Sequence, residues 1–109
     1  MDGHTFEYFC ATLLEDAGFQ DVEVTQASGD YGIDILAEKD GVTYAIQCKC
    51  YSDRIGNHAV QEAYSGAAYY GRQIPVVMTN QYFTDAAKEI ALRTGVRLWD
   101  RDILVGFLS

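Results

Sequence analysis

The chain has 109 residues, a formal net charge of −8, 49% hydrophobic residues and 22% charged ones. That is enough apolar sequence for one domain, 1–109, with a real core. No segment approaches the roughly 20 apolar residues of a membrane span, and the acidic balance argues against strong nonspecific adhesion to nucleic acid.

The opening MDGHTFEYF lacks a basic stretch followed by an apolar run, so it does not read as a signal peptide. Phe6, Phe9, Cys10, Leu13, Leu14 and Ala17 recur at helical spacing and form one apolar stripe. Asp2 or Thr5 suits the cap of this helix, Gly18 suits its end, and Glu7 lies at the edge of the stripe. A short strand follows from Phe19 to Thr25, then a loop of turn-forming residues from Gln26 to Gly32. The three cysteines, Cys10, Cys48 and Cys50, lack metal-ligand spacing and read as reduced thiols, which places the protein in the cytoplasm.

The stretch Gly29–Tyr51, GDYGIDILAEKDGVTYAIQCKCY, reads as two strands joined by an Asp40-Gly41 turn, a dipeptide suited to a two-residue hairpin loop. With Lys39 paired to Val42, counting back along the ladder sets Asp34 directly opposite Gln47, with Lys49 two residues further on the same face. Opposed side chains in such a pair have Cβ atoms roughly 5 Å apart. Ile33, Ile35, Ala37, Val42, Tyr44, Ile46 and Cys48 alternate onto an apolar face. The other face carries Asp34, Leu36, Glu38, Thr43, Ala45, Gln47 and Lys49, a mixture that a solvated sheet would also explain. Burying Asp34 or Lys49 is costly unless each is paired or bound to a metal.

After a polar loop, Ser52 to Gly56, Asn57 suits the cap of a helix from His58 to Tyr70. Val60, Ala63, Tyr64, Ala67 and Ala68 lie on one side of it, and with Gly66 they permit close packing on the sheet or on a second copy of the chain. IPVVMT, residues 74–79, reads as a buried parallel strand. Thr84 caps a helix reaching about Arg93, with Phe83, Ala86, Ala87 and Ile90 inward and Gly95 as its stop. A last strand over Val96–Trp99 and a closing helical turn with Ile103, Leu104, Phe107 and Leu108 complete the chain. His4 and His58 have no partner at catalytic spacing and read as surface or capping residues.

GDYGIDIL…YAIQCKCY resembles the Mrr-like branch of the restriction-endonuclease-like nucleases, the PD-(D/E)xK superfamily. That pattern has an Asp opening the second core strand and, in this branch, Gln-x-Lys on the third; here these are Asp34 and Gln47-Cys48-Lys49. VVMTN…FTDAAKEIA and LWD extend the likeness across essentially the whole chain, with Cys50 a departure where the pattern has a basic or neutral polar residue. The resemblance implies an α/β fold with an α-β-β-β-α-β core, a further α-β-α extension, and a mixed central sheet covered by helices on both faces.

It also implies a deoxyribonuclease using Mg²⁺, with Mn²⁺ able to substitute, in restriction, defence or repair. Asp34, Gln47 and the backbone carbonyl of Cys48 are then the expected metal ligands. Lys49 is expected to orient or activate the attacking water. Glu7 is expected as a catalytic carboxylate from the first helix. Gln61, Asp30 and Tyr31 are weaker candidates for contacts to substrate, and Tyr69-Tyr70 for base stacking or packing. The expected partners are DNA, a second copy of the chain through the helix at Ala63–Ala68, and a separate DNA-recognition domain or subunit. The alternative is a noncatalytic nuclease-fold module for DNA binding or assembly, which the charge of −8 favours.

Overall fold

In a computed structural model, which describes residues 1–25 and 31–108, Asp2 accepts a hydrogen bond from the Thr5 amide at 2.8 Å and so starts the first helix. The elements that follow are α1 (Gly3–Asp16), β1 (Gln20–Val24), β2 (Ile35–Lys39), β3 (Val42–Lys49) and α2 (Asn57–Tyr70). The chain then continues through β4 (Ile74–Thr79), α3 (Asp85–Thr94), β5 (Arg97–Trp99) and α4 (Arg101–Phe107). This is the expected order, and the strands lie side by side as β1-β2-β3-β4-β5. β1, β2 and β3 pair antiparallel, while β3, β4 and β5 pair parallel, because crossover helices separate the later strands.

Helices cover both faces of this mixed sheet. On one side Phe6, Cys10, Leu13 and Leu14 of α1 and Leu104 of α4 pack on Ile35, Ala37, Ile46, Val76 and Met78. Phe19, Tyr44, Trp99 and Phe107 close that core with edge-on or tilted rings 5.2–6.2 Å apart, each well-placed pair adding about 1 kcal/mol. On the other side Ala59, Val60 and Ala63 of α2 pack with Val77, Phe83, Ala87 and Ala91.

Several expectations about faces change. Ile33 was expected beside Ile35, yet it packs with Leu36, Ala45 and Ala67 on the α2 side. It precedes β2, following two positive-φ residues, Tyr31 and Gly32, so the strand's alternation does not govern it. Leu36 and Ala45 are buried, which rules out a solvated polar face. Tyr64 and Ala68 point outward, because α2 turns the narrower stripe Ala59, Val60, Ala63, Gly66 and Ala67 inward. Ala63, Gly66 and Ala67 are buried within the chain, so of the segment Ala63–Ala68 expected to meet a second copy only Tyr64, Ser65 and Ala68 remain exposed. Ala86 is exposed and Ala91 takes its place in the core. Ile103 and Leu108 are exposed, leaving Leu104 as the buried residue of α4.

Asn57 is the first residue of α2 rather than its cap; Gly56 holds the cap position without a side-chain hydrogen bond. The preceding loop is not wholly polar in behaviour. Ile55 is buried and forms a parallel bridge with Phe83, its amide reaching the Tyr82 carbonyl at 2.9 Å. Gly66 lets α2 approach the start of the hairpin: a Cβ there would lie 2.5 Å from both the Ile33 side chain and the Tyr31 carbonyl oxygen.

Candidate active site

The hairpin delivers its residues to one cleft, though by a different route from a continuous ladder. Pairing runs regularly from Lys39↔Val42 to Ile35↔Ile46 and stops one residue short of Asp34↔Gln47. The Asp34 amide bonds to the Ile46 carbonyl at 2.9 Å, and its carboxylate Oδ2 accepts the Cys48 amide at 2.7 Å. The expected direct opposition of Asp34 and Gln47 is therefore replaced by a fork, in which the Asp34 side chain substitutes for a missing backbone partner of β3. The cause lies just upstream, where Tyr31 (φ 56°) and Gly32 (φ 78°) turn the chain before β2 begins. Thr25, just after β1, fixes the fork, its hydroxyl donating to the Ile33 carbonyl at 2.7 Å and its amide to the Asp34 carbonyl at 2.9 Å.

Asp34, Gln47, Cys48 and Lys49 line this cleft of about 480 Å³ together with Gly3, Gly32, Cys50, Tyr51 and Glu62. Gln47 is 2% exposed. Its Nε2 donates to Glu62 Oε1 at 3.2 Å, while its own Oε1 is buried with no hydrogen-bond partner. Leaving such an acceptor unsatisfied costs about 1–3 kcal/mol. The Lys49 ammonium donates to the Tyr51 hydroxyl at 3.4 Å and stands 3.8 Å from Glu62 Oε1. Thr79, at the same end of β4, donates its hydroxyl to the Lys49 carbonyl at 2.7 Å. Asn80 clamps Tyr51 through both backbone groups, at 3.0 and 3.1 Å.

Cys48 points to the opposite face, among the α1 side chains. Its thiol is pushed well above the ordinary range by a hydrogen bond with Cys10, by burial, and by the charges of Cys10, Asp34 and Glu7. It stays protonated at neutral pH and offers no thiolate to a metal; all three cysteines are free. The role expected of Cys48 is through its backbone carbonyl, and the thiol takes no part in it.

The remaining candidates divide. Glu7 acts on the Cys48 thiol through its charge but stands back from the cleft lining, with His4 Nδ1 3.6 Å from its carboxylate. Gln61 is exposed and lines a neighbouring hollow with Tyr31, His58, Glu62 and Ser65. Tyr31 is exposed and stacks on Tyr69 with ring centroids 3.8 Å apart. Tyr69 is thus an exposed stacking residue, with Tyr70 edge-on to it at 5.1 Å. Asp30 lies outside the described residues. Both histidines are exposed, as expected, but each has a carboxylate nearby, His58 being 3.8 Å from Glu62 Oε1.

Sequence reasoning missed Glu62, Tyr51, Thr79 and Asn80. Glu62 follows the candidate Gln61 by one residue and is half-buried, one turn after the exposed His58 and next in sequence to the buried Ala63. Among the described residues no three His, Cys, Asp or Glu side chains form a metal-ligating cluster. A cation in this cleft would instead rest on Asp34, the Gln47 amide oxygen and the Cys48 carbonyl. These are hard oxygen donors suited to Mg²⁺ or Mn²⁺, and the unpartnered Gln47 Oε1 is the feature that fits one.

A family model described as restriction endonuclease, for the Mrr catalytic domain, matches residues 1–108. An uncharacterized protein of Archaeoglobus fulgidus is 31% identical over 96 residues, covering 81% of this chain and 55% of its own length. The chain thus spans about half of the curated relative it matches. Among solved structures, a protein of unknown function, AF1548, superposes with a TM-score of 0.75 at 25% identity, covering 92% of this chain and 63% of that one. The DNA modification-dependent restriction endonuclease AspBHI superposes with a TM-score of 0.74 at 20% identity, covering 95% of this chain and 30% of that one, a likeness of fold.

Proposed function

The chain belongs to the Mrr-type restriction endonuclease family, and from that premise we propose that it is a metal-dependent DNA endonuclease with its active site in the cleft at the open end of β2 and β3. The observation that carries the reading is Gln47. An amide oxygen buried without a partner, beside a carboxylate and an ammonium, is costly to maintain and has a use as a cation ligand. Asp34, Gln47 Oε1 and the Cys48 carbonyl would hold the ion. A bound Mg²⁺ or Mn²⁺ supplies Lewis-acid polarisation of a phosphodiester and lowers the pKa of a water.

The chain's own groups do the rest. Asp34 braces the fork through the Cys48 amide and so fixes the donor end of β3. Lys49, held between Glu62 and Tyr51, offsets phosphate charge and orients the attacking water. Thr79 and Asn80 keep the end of β3 and Tyr51 in place. Glu7, expected as a catalytic carboxylate, stands back from the cleft lining beside His4 and takes no step in the proposed hydrolysis. In the hydrolysis a water oxygen–phosphorus bond forms as a phosphorus–oxygen bond of the backbone breaks. One such site cuts one strand, so double-strand cleavage would require a second copy, meeting through some surface other than the buried stripe of α2.

The charge of −8 favours a second reading, a noncatalytic module that binds DNA or assembles with a partner. Under either reading a further DNA-recognition domain or subunit would supply affinity that the acidic chain lacks. A nicking assay on supercoiled plasmid at low salt, titrated with Mg²⁺ and Mn²⁺, separates the two. Metal-dependent nicking by the purified protein is the expected result; DNA binding without nicking at any metal concentration would favour the module.

A further inference from the structure

We propose that Glu62 is a positioning residue that decides which end of the Gln47 amide is left without a protein partner and so free to meet a cation, a role that rests on the metal-site reading above. The two ends of an amide have nearly the same shape and opposite chemistry: nitrogen donates and oxygen accepts. A cation is served by the oxygen alone. Glu62 Oε1 receives Gln47 Nε2 at 3.2 Å, and the acceptor is a carboxylate, which strengthens the bond. Turning the amide over would exchange that bond for two acceptors facing each other around a side chain that is 2% exposed. Glu62 therefore favours the orientation that holds Nε2 and leaves the buried Oε1 without a protein partner, and penalises the reverse.

Two further contacts fit the assignment. The same Glu62 oxygen is 3.8 Å from the Lys49 ammonium, so one carboxylate holds both polar side chains of the Gln-x-Lys triplet. Gly32 makes room for the pair. A Cβ at that position would lie 3.0 Å from Gln47 Nε2 and 3.2 Å from the Glu62 Cβ. The need for such a residue follows from the amide itself. A carboxylate at position 47 would offer an oxygen at either end and would need no orienting partner.

The test is a double-mutant cycle read by Mn²⁺ calorimetry without DNA, each variant being checked for folding by thermal unfolding. E62A is expected to weaken Mn²⁺ binding about 10–100-fold, the usual effect of losing an outer-shell partner. E62Q keeps an acceptor and is expected to recover part of that loss. In a Q47E background, where no amide needs orienting, E62A is expected to cost markedly less. Equal losses in both backgrounds, or E62Q no better than E62A, would reduce Glu62 to a nearby charge and overturn the proposal. The amide proton resonances of the Gln47 side chain in the metal-free protein give a second readout. They are expected to move in E62A and to stay near their place in E62Q, and unmoved resonances in E62A would overturn the proposal whatever the metal result. Failure of the unaltered protein to bind Mn²⁺ counts against the metal reading, while the resonances still decide whether Glu62 anchors the amide.

Discussion

The two ends of the β2–β3 hairpin are built from the same strands and obey different rules. At the turn end Asp40 (φ 54°) and Gly41 (φ 80°) adopt the positive angles that a two-residue loop requires, and the ladder beside them is regular. Lys39 there donates to the Ala17 carbonyl at 2.9 Å and lies over the Phe19 ring, so even its charge is accommodated. At the open end the ladder stops early, a tyrosine takes a positive φ, a carboxylate substitutes for a strand, and an amide oxygen is buried unpartnered. Strained backbone and orphaned polar atoms persist where surrounding structure over-determines them, and they gather at functional sites. The turn end meets the needs of folding. The open end departs from them in several ways at once, within a few residues, and that concentration supports the proposal that places the active site there.

The comparison is tested most severely by removing the open end's chemistry. Lys49→Ala is expected to lower DNA cleavage by at least about 100-fold, the low end of what a positioned acid–base group contributes, with an unchanged circular dichroism spectrum. Asp34→Ala is expected to abolish cleavage too, and its effect on stability should be larger because the Cys48 amide loses its acceptor, a cost of about 1–3 kcal/mol. Retained cleavage by either purified variant would remove the site from this end of the hairpin. Next in size is the response to metal. Mn²⁺ at 100 times its dissociation constant stabilises a folded protein by about 2.7 kcal/mol. For a domain of this length that is a rise in Tm of roughly 10 °C. A melting curve indifferent to Mn²⁺ would mean that the unpartnered Gln47 oxygen serves something other than a cation.

How much of this was legible beforehand follows the same division. Asp40-Gly41 announces its turn because few dipeptides tolerate two positive φ angles, and every strand pair from that turn to Ile35↔Ile46 follows from it. The element order and the covered sheet were legible from periodicity and from the resemblance. The fork at Asp34 was not, because alternation assumes that a strand continues, and the residues that end it act through backbone angles. Ile33 changes face for that reason. Glu62 escaped because its role depends on where α2 crosses the sheet, and Gly66 sets that approach by lacking a side chain. Periodicity places a residue on a helix face; it does not say which strand end that face will meet. Thr79 and Asn80 were part of the recognised VVMTN run, but their bonds to Lys49 and Tyr51 come from the parallel register Lys49↔Thr79, a tertiary fact.

Gly66→Ala tests how the helix holds the open end. The added Cβ would meet the Ile33 side chain and the Tyr31 carbonyl at 2.5 Å, and a backbone oxygen has little room to yield. A loss of about 1–3 kcal/mol is expected, as for other overpacked sites. Because Tyr31–Ile33 lead into the fork, Mn²⁺ affinity should fall alongside Tm. Calorimetry of the folded variant at a temperature well below its Tm checks this. Normal affinity with reduced stability would show that the fork tolerates displacement of α2.

The smallest effect is expected at the turn itself. Gly41 has φ 80° and open space around a prospective Cβ, so Gly41→Ala meets no clash and introduces backbone strain alone. A left-handed alanine costs roughly 1–2 kcal/mol, and the stiffer unfolded chain returns about 0.4–1 kcal/mol of that. The net destabilisation should therefore be on the order of 1 kcal/mol, or a few degrees in Tm. Cleavage per folded molecule should not change, because Gly41 lies at the far end of the ladder and the fork has its own restraints in Thr25, Asp34 and Thr79. A variant that stays folded and binds Mn²⁺ normally but cuts more slowly would break the comparison, since the turn would then be setting the geometry of the site through the strands. Unchanged cleavage would mean that the open end is positioned locally, by the side chains that replace the ladder where it stops.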